Sequence, residues 1–247
     1  MYGLIGKKLS HSFSADYFNA KFKKEGIENK YSLFPLSSIS ESPQFLDQHS
    51  DIEGLNVTIP YKEEIIPYLD FISDEAKQIG AVNVIKVVKE NGQRRLEGYN
   101  SDCMGFRDSL IPLLRNDVSH ALILGTGGAS KAVAYVLKNL GIDYTFVSRS
   151  PSPGRLTYKD LDKQIVENNL LIINTTPLGT YPEIDNCPPI SYQYVTDRHI
   201  FYDLVYNPAI TLFLKQAREQ GATIKNGLEM LELQALGSWD IWTGRDE

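Results

Sequence analysis

Short apolar strands alternating with helical segments predict an α/β protein of two domains, the second built on a doubly wound parallel sheet. Three features of the 247-residue chain carry that expectation. Hydrophobic runs of four or five residues recur between amphipathic stretches. One of them, Ala121-Leu122-Ile123-Leu124, leads straight into a glycine-rich turn and a helix. Several such runs are apolar throughout, as expected of strands covered on both faces.

In the first part, Leu4-Ile5 is expected as a strand. Ser14 then caps a helix that places Tyr17, Phe18 and Phe22 on one face and ends at Gly26. Tyr31 to Leu36 is a second strand, Ser42-Pro43 a capped helix start, and Ile52 to Thr58 a third strand. Pro60 opens a helix through Tyr68, and Ser73-Asp74-Glu75 starts another that stops near Gly80. Val82 to Val88 and Arg94 to Tyr99 flank Asn91-Gly92, a hairpin turn signal. In the second part, Asp102 caps a helix through Leu114. The strand Ala121–Leu124, a helix from Lys131 to Leu140 ending at Gly141, and the strand Tyr144–Val147 complete a βαβ unit. Leu170–Ile173 and Ile200–Leu204 are further buried strands, and Pro208–Gly221 and Leu228–Trp242 the last long helices.

Composition narrows the function. Apolar residues at 42% and charged residues at 23% describe an ordinary globular chain. With 25 basic against 31 acidic residues the net charge is −6, which argues against nucleic acid as the partner, because duplex binding needs a basic surface. No apolar run is long enough to span a bilayer, and the first residues lack the pattern of a signal peptide. Two widely separated cysteines, four histidines and no H-E-x-x-H pattern point to a reduced, cytoplasmic protein with no dedicated metal site.

The turn Gly125-Thr126-Gly127-Gly128-Ala129-Ser130 lies between a strand and a helix, the setting in which backbone N–H groups and a helix N-terminus cradle a pyrophosphate. Similar turns also occur in methyltransferases and as plain tight connections. The end of the next strand separates these readings. A NAD-specific site places a carboxylate there, whereas this chain has Ser148-Arg149-Ser150, with Arg155 nearby and no carboxylate before Asp160. A guanidinium with small hydroxyls suits a 2′-phosphate, which makes NADP(H) the expected cofactor on a Rossmann-type domain; the plainer alternative is a surface arginine.

A second set of polar residues falls at strand ends and loop-to-helix junctions of the first part: Ser12, Ser14, Asn56, Thr58, Lys62, Asn83 and Asp102. Each has an ordinary reading, as a cap, a turn residue or a solvated cation. Together they supply a carboxylate-binding pair of hydroxyls, several hydroxyl-reading amides, one ammonium and one carboxylate.

These residues lie in a series of motifs by which the chain resembles the shikimate dehydrogenase family. The series contains Ser12-Phe13-Ser14 ("HSxS"), Asn56-Val57-Thr58 with Lys62 ("NVTxPxK"), Gly80-Ala81-Val82-Asn83 ("GAVN") and Asn100-Ser101-Asp102 with Gly105 ("NTDxxG"). It continues through the glycine turn, Asn174-Thr175-Thr176-Pro177-Leu178-Gly179 ("NATPxG"), Asp203 to Pro208 ("DxxYxP") and Gln234-Ala235. The resemblance implies reversible NADPH-dependent reduction of 3-dehydroshikimate to shikimate, a step of aromatic amino acid biosynthesis. It implies Lys62 and Asp102 as the catalytic pair, and Ser12 and Ser14 as ligands of the substrate carboxylate. Asn56, Thr58, Asn83 and Gln234 would bind its hydroxyls, Tyr206 would sit by substrate and nicotinamide, and Thr175 and Thr176 would join the glycine turn in holding the cofactor. The chain departs from the pattern at Ala15, Phe18, Ser101 and Thr126, none of which removes a charged group.

The expected organisation is a substrate domain over residues 1–101 joined by the C-terminal helix, 226–247, and an NADP domain over 102–225, with reaction between them on closure. The expected partner is a small molecule, not nucleic acid or membrane, and the expected state a monomer or homodimer. A quinate/shikimate dehydrogenase of relaxed cofactor use, or a non-catalytic sensor on the same fold, are the alternatives; a sensor has no need of a proton-transfer pair.

Overall fold

The computed structural model describes residues 1–9, 12–90 and 92–245. The chain divides into two units, Met1–Met104 together with the segment from Gln234, and Gly105–Leu233. Both boundaries fall inside helices. The expected junctions lie close to the starts of those helices.

The first unit contains β1 (Tyr2–Gly6), α1 (Phe13–Glu25), β2 (Tyr31–Pro35), α2 (Ser42–Gln48), β3 (Gly54–Val57), β4 (Phe71–Ile72), α3 (Asp74–Ile79), β5 (Val84–Glu90) and β6 (Gln93–Tyr99). Its sheet has the order β2-β1-β3-β5-β6-β4. The pairs β1–β2, β1–β3 and β4–β6 are parallel, whereas β5 runs antiparallel to both β3 and β6. Asn91 of the expected hairpin turn lies outside the described residues; the strands flanking it pair from Val84↔Tyr99 to Glu90↔Gln93.

Side-chain alternation gives this sheet two cores. Along β1, Ile5 joins Leu55, Val57, Ile65 and Ile85 on one face. Tyr2 and Leu4 join Phe18, Phe22, Tyr31, Trp239 and Trp242 on the other. The indole of Trp242 stacks on Tyr2 at 4.7 Å and its Nε1 donates to the Ile85 carbonyl at 3.0 Å. It lies directly over Gly54, where any Cβ would overlap the ring.

The chain then enters α4 (Asp102–Leu110). The second unit contains β7 (His120–Leu124), α5 (Gly128–Asn139), β8 (Asp143–Ser148), β9 (Arg155–Thr157), α6 (Lys163–Asn168), β10 (Leu171–Asn174), β11 (Ile200–Asp203), α7 (Leu212–Glu219) and β12 (Thr223–Lys225), and leads into α8 (Leu228–Thr243). All its strand pairs are parallel. The order β12-β11-β10-β7-β8-β9 is that of the Rossmann doubly wound sheet, which reverses between β7 and β10. Residues 121–124 of β7 and 171–174 of β10 are fully buried, which accounts for their unbroken apolar sequence apart from Asn174.

Several local expectations are corrected. Ser14 does not cap α1: Ser12 stands at the N-cap position and Ser14 is buried in the first turn. The capping box near residue 40 belongs to Ser38 and Glu41, which open a 3-10 turn ahead of α2. Residues 59–65 form turns rather than a helix and end in a 3-10 turn, Ile66–Tyr68. Pro67 explains this, because it lacks an N–H and disfavours helical backbone at Ile66. Pro112 likewise converts the expected end of α4 into a 3-10 turn, Ile111–Leu113. The helix expected from Pro208 begins at Leu212, where the Thr211 hydroxyl caps it by accepting from the Leu214 N–H. The short elements β4, β9, α6 and β12 carry too few residues for a readable periodicity.

Removing the Trp242 indole leaves a large hole between sheet and helix. Trp242→Ala is expected to lower stability by about 3–5 kcal/mol in urea unfolding. A loss below about 1 kcal/mol would show that α8 contributes little to this core.

Candidate active site

The mixed sheet of the first unit brings four motifs to one end. Because β5 is antiparallel to β3 and β6, its first residue lies beside the last residues of both, as the pairs Asn56↔Val84 and Val84↔Tyr99 record. The segments around Asn56-Val57-Thr58, Asn83 and Asn100-Ser101-Asp102 therefore meet. The carboxyl end of β1, parallel to β3, leads toward Ser12 and Ser14 at the same end.

Lys62 and Asp102 form the charged centre, with Nζ donating to Oδ2 at 2.6 Å. Their side chains are 16% and 10% exposed, a pairing largely removed from water yet still reachable. The other carboxylate oxygen, Oδ1, accepts from Asn83 Nδ2 at 2.8 Å. Asn83 is held in turn, its Oδ1 accepting from the Ser101 N–H at 2.7 Å. Its Nδ2 also faces Ser101 Oγ at 3.1 Å and Gln234 Oε1 at 3.4 Å. The Lys62 backbone carbonyl accepts from the Val82 N–H at 2.7 Å, tying the turn that carries the lysine to the segment that carries Asn83.

Beneath this lies a second layer. Tyr31 donates to Asn56 Oδ1 at 2.8 Å, and Asn56 Nδ2 donates to Ser238 Oγ at 2.9 Å and to the Asn83 carbonyl at 3.2 Å. Burial pushes the Tyr31 phenol well above its usual range, opposed by a hydrogen bond with Ser14, so it remains a donor. That donor fixes which way the Asn56 amide points. Ser238 completes the circuit with Ser101, their hydroxyls 3.2 Å apart.

In the second unit the crevice at the reversal between β7 and β10 is lined by two loops. The first holds Gly125, at φ +111°, with its N–H donating to the Val147 carbonyl at 2.9 Å. A Cβ at Gly125 would meet Thr175 Oγ1 at 2.7 Å and Thr176 Cγ2 at 3.0 Å, so a side chain is excluded by conformation and by space. Gly127 opens α5 with no side-chain cap and open space on its Cβ side. Thr126 and Gly127 are exposed, Gly128 and Ala129 half-buried, and Ser130 is buried with its hydroxyl donating to the Gly127 carbonyl at 2.6 Å. Uncapped N–H groups at a helix start with room for an approaching anion suit a pyrophosphate.

The second loop follows β10. Thr175 donates through both N–H and Oγ1 to the Leu124 carbonyl, at 2.9 and 2.8 Å, joining it to the glycine turn. Thr176 donates through N–H and Oγ1 to Asn174 Oδ1, at 3.0 and 2.6 Å. At the end of β8, Arg149 and Ser150 are exposed, and Ser148 donates to the Ser150 carbonyl at 2.6 Å. The exposed Arg155 stacks its guanidinium over Phe146 at 5.9 Å. This end of the sheet offers cations and hydroxyls with no carboxylate between Ser148 and Arg155. Tyr206, partly exposed, lies on the loop after β11.

Residues 4–85 match the family described as the shikimate dehydrogenase substrate binding domain. A curated shikimate dehydrogenase (NADP(+)) of Clostridium beijerinckii is 40% identical, the alignment covering 98% of this chain and 91% of that protein. The chain belongs to the shikimate dehydrogenase family. Solved structures agree. Shikimate dehydrogenase 1 from Peptoclostridium difficile is 40% identical with a TM-score of 0.82, covering 98% of this chain and 91% of that one. Shikimate 5-dehydrogenase from Thermus thermophilus in complex with NADP(H) and shikimate is 27% identical, with a TM-score of 0.85 and coverage of 98% and 93%.

In this family member, six residues singled out from the sequence gather in the first unit's hydrogen-bonded cluster: Lys62, Asp102, Asn83, Asn56, Ser14 and Gln234. Ser12 and Thr58 lie at the same strand ends, both half-buried. Asn56 and Asn83 are 5% and 2% exposed and direct their amide donors at protein acceptors. Tyr31, Ser101 and Ser238 were not singled out as functional. Ser238 had a signal, standing four residues after Gln234 and so on the same helix face; Tyr31 read only as a strand aromatic.

One further group stands out in the second unit. The fully buried Asp203 accepts from Asn174 Nδ2 at 2.9 Å, the Val205 N–H at 3.0 Å and Thr211 Oγ1 at 2.5 Å. Burial pushes its carboxyl up to about 6, against the lowering effect of these three donors. A raised carboxyl favours the folded state fully below the unfolded value, near 3.8, and this contribution is lost as pH rises through about 6. Relative to Asp203→Asn, which cannot titrate, the native protein is expected to lose on the order of 3 kcal/mol of stability between pH 4 and pH 7. Urea midpoints across that range test this, and parallel curves for the two proteins would refute it.

Proposed function

We propose that this chain catalyses the reversible, NADPH-dependent reduction of 3-dehydroshikimate to shikimate. The observation that carries the proposal is the half-hidden Lys62–Asp102 pair, 2.6 Å apart and locked by Asn83. Reduction of a ketone puts negative charge on its oxygen, which must be stabilised and protonated. The Lys62 ammonium does both, as the acid toward the ketone and as the base in the reverse direction. Asp102 holds the ammonium in place and accepts from a neighbouring substrate hydroxyl. Ser12 and Ser14 bind the substrate carboxylate, and Thr58 and Gln234 its hydroxyls. Asn83 and Asn56, whose donors are committed to the protein, offer their remaining acceptor capacity to the substrate. Tyr206 borders the nicotinamide.

The second unit fits the cofactor: the loop at Gly125 admits no side chain, α5 starts uncapped, and Arg149 is free of a competing carboxylate at the β8 end. NADPH, when bound, supplies the hydride. The 125–130 turn holds its pyrophosphate, Thr175 and Thr176 close the other side of the crevice, and Arg149 with Ser148 and Ser150 receives the 2′-phosphate. The first unit is thus the substrate-binding and catalytic domain and the second the NADP domain. Two free cysteines, Cys103 and Cys187, accord with a reducing, cytoplasmic setting. Among the described residues no helix is long and apolar enough to cross a membrane.

The activity is tested by following NADP+ and NAD+ reduction with shikimate and with quinate in parallel. Turnover is expected with shikimate and NADP+, and none in any combination would refute the proposal. Lys62→Ala is expected to reduce kcat by at least about two orders of magnitude. Near-normal turnover with a raised KM alone would remove Lys62 from proton transfer. Arg149→Ala is expected to weaken NADPH roughly tenfold or more while leaving NADH nearly unchanged; equal losses would remove Arg149 from phosphate recognition.

A further inference from the structure

Among the described residues, Asp203 is the one carboxylate buried in the core of the second unit, and no cation pairs with it. Its three donors come from three segments: Asn174 at the end of β10, Val205 in the loop after β11, and Thr211 at the start of α7. A carboxylate only accepts, so Asn174 must present its Nδ2 to Asp203. Asn174 Oδ1 is thereby turned toward the Thr176 N–H and hydroxyl, at 3.0 and 2.6 Å. A directional chain, Asp203 to Asn174 to Thr176, runs from the core to the crevice. The Val205 N–H bond holds the start of the loop that carries Tyr206, and that loop is also bound where the Gly227 N–H donates to the Val205 carbonyl at 3.1 Å.

The strand order says which half of a dinucleotide these loops meet. A dinucleotide crosses the reversal point with one mononucleotide on each half of the sheet. Arg149 directly follows β8, so on that reading the 2′-phosphate of the adenosine lies on the β7–β9 half, and the nicotinamide mononucleotide falls on the half containing β10 and β11. We propose that Asp203 is a positioning residue for the nicotinamide end of the cofactor, orienting Thr176 through Asn174 and the Tyr206 loop through Val205. This rests on the NADP(H) reading above. Stability alone does not account for the group, since a carboxylate deprived of water and of any counter-ion is costly to keep where an apolar side chain would pack.

The test compares Asp203→Ala with Asp203→Asn. The alanine removes the acceptor of the Val205 N–H and the Thr211 hydroxyl and leaves Asn174 Nδ2 only the Leu178 carbonyl at 3.5 Å. The asparagine keeps an oxygen for Asn174 and Val205 and can donate to the Thr211 hydroxyl. Binding of NADPH and of 2′,5′-ADP, a probe that carries the 2′-phosphate but no nicotinamide, is measured alongside kcat and the KM for shikimate. In Asp203→Ala, NADPH binding and kcat are each expected to fall roughly tenfold, the scale of one lost charge-assisted hydrogen bond. Affinity for 2′,5′-ADP and the KM for shikimate should stay within about twofold, and Asp203→Asn should recover most of the loss. Asn174→Ala, which cuts the chain but leaves Asp203 bound to Val205 and Thr211, should reproduce the alanine pattern and serves where Asp203→Ala does not fold. Parallel loss of 2′,5′-ADP and NADPH binding in these variants, or unchanged kcat in both alanine variants, would overturn the proposal. Failure of the unaltered protein to bind 2′,5′-ADP at all would instead count against the cofactor reading.

Discussion

The ion pair of Lys62 and Asp102 organises the polar interior of the first unit. Two opposite charges withdrawn from water gain from each other only if the geometry is good and the remaining hydrogen-bonding capacity is filled. Lys62 reaches one carboxylate oxygen, and the other is filled by Asn83. Asn83 is itself buried and has to be satisfied, which brings in Ser101, and Ser101 meets Ser238. Ser238 meets Asn56, and Asn56 is oriented by Tyr31. One buried pair thus requires a connected set of polar residues from β2, β3, the start of β5, the start of α4 and α8. It also sets the character of the C-terminal helix, which must turn Gln234 and Ser238 to this network while burying Trp239 and Trp242 against Tyr2 and Phe18.

The second unit is organised by backbone geometry. A parallel sheet covered on both faces leaves only its strand ends for chemistry, and the reversal of strand order between β7 and β10 opens a crevice there. Gly125 adopts a backbone conformation that other residues resist, at a place where Thr175 and Thr176 leave no room for a side chain. Its neighbours present N–H groups rather than side chains. The polar side chains that matter here, Asn174, Asp203 and Thr211, are buried and shape the loops from beneath.

How much of this could be read from the chain depended on the range of the interaction responsible. The βαβ unit and its turn were legible because strand, glycines and helix are contiguous, and the buried strands because parallel pairing suppresses alternation. The helix starting at Ser73 and ending at Gly80 was legible because cap and stop lie within one short segment. The segment after Pro60 reads as a helix because Pro60 suits a first helical turn, but Pro67 breaks it, and Ser14 reads as a cap although Ser12, two residues earlier, holds that position. Tyr31 and Ser238 lie about 25 and 180 residues from Asn56 in sequence, so only pairing in space reveals them. Lys62, Asn83 and Asp102 were legible as a group because each falls in a strand-end or loop-to-helix segment, although their mutual bonding follows from the antiparallel run of β5.

The two charged sites solve different electrostatic problems. Arg149 stands in solvent, where a guanidinium costs little, and on the proposed function a 2′-phosphate would bring its own counter-charge; selectivity would then follow from the absence of a carboxylate at the β8 end, because an acid there would repel the phosphate. Lys62 cannot be left unpaired, because it is mostly withdrawn from water. Its partner Asp102 holds the ammonium aimed, and Asn83 keeps Asp102 from turning away. A proton donor that is already desolvated and oriented needs no rearrangement when charge develops on a ketone oxygen. In the proposed reaction the hydrogen bonds that consume the donors of Asn56 and Asn83 would therefore act indirectly, by holding the one group whose proton has to move.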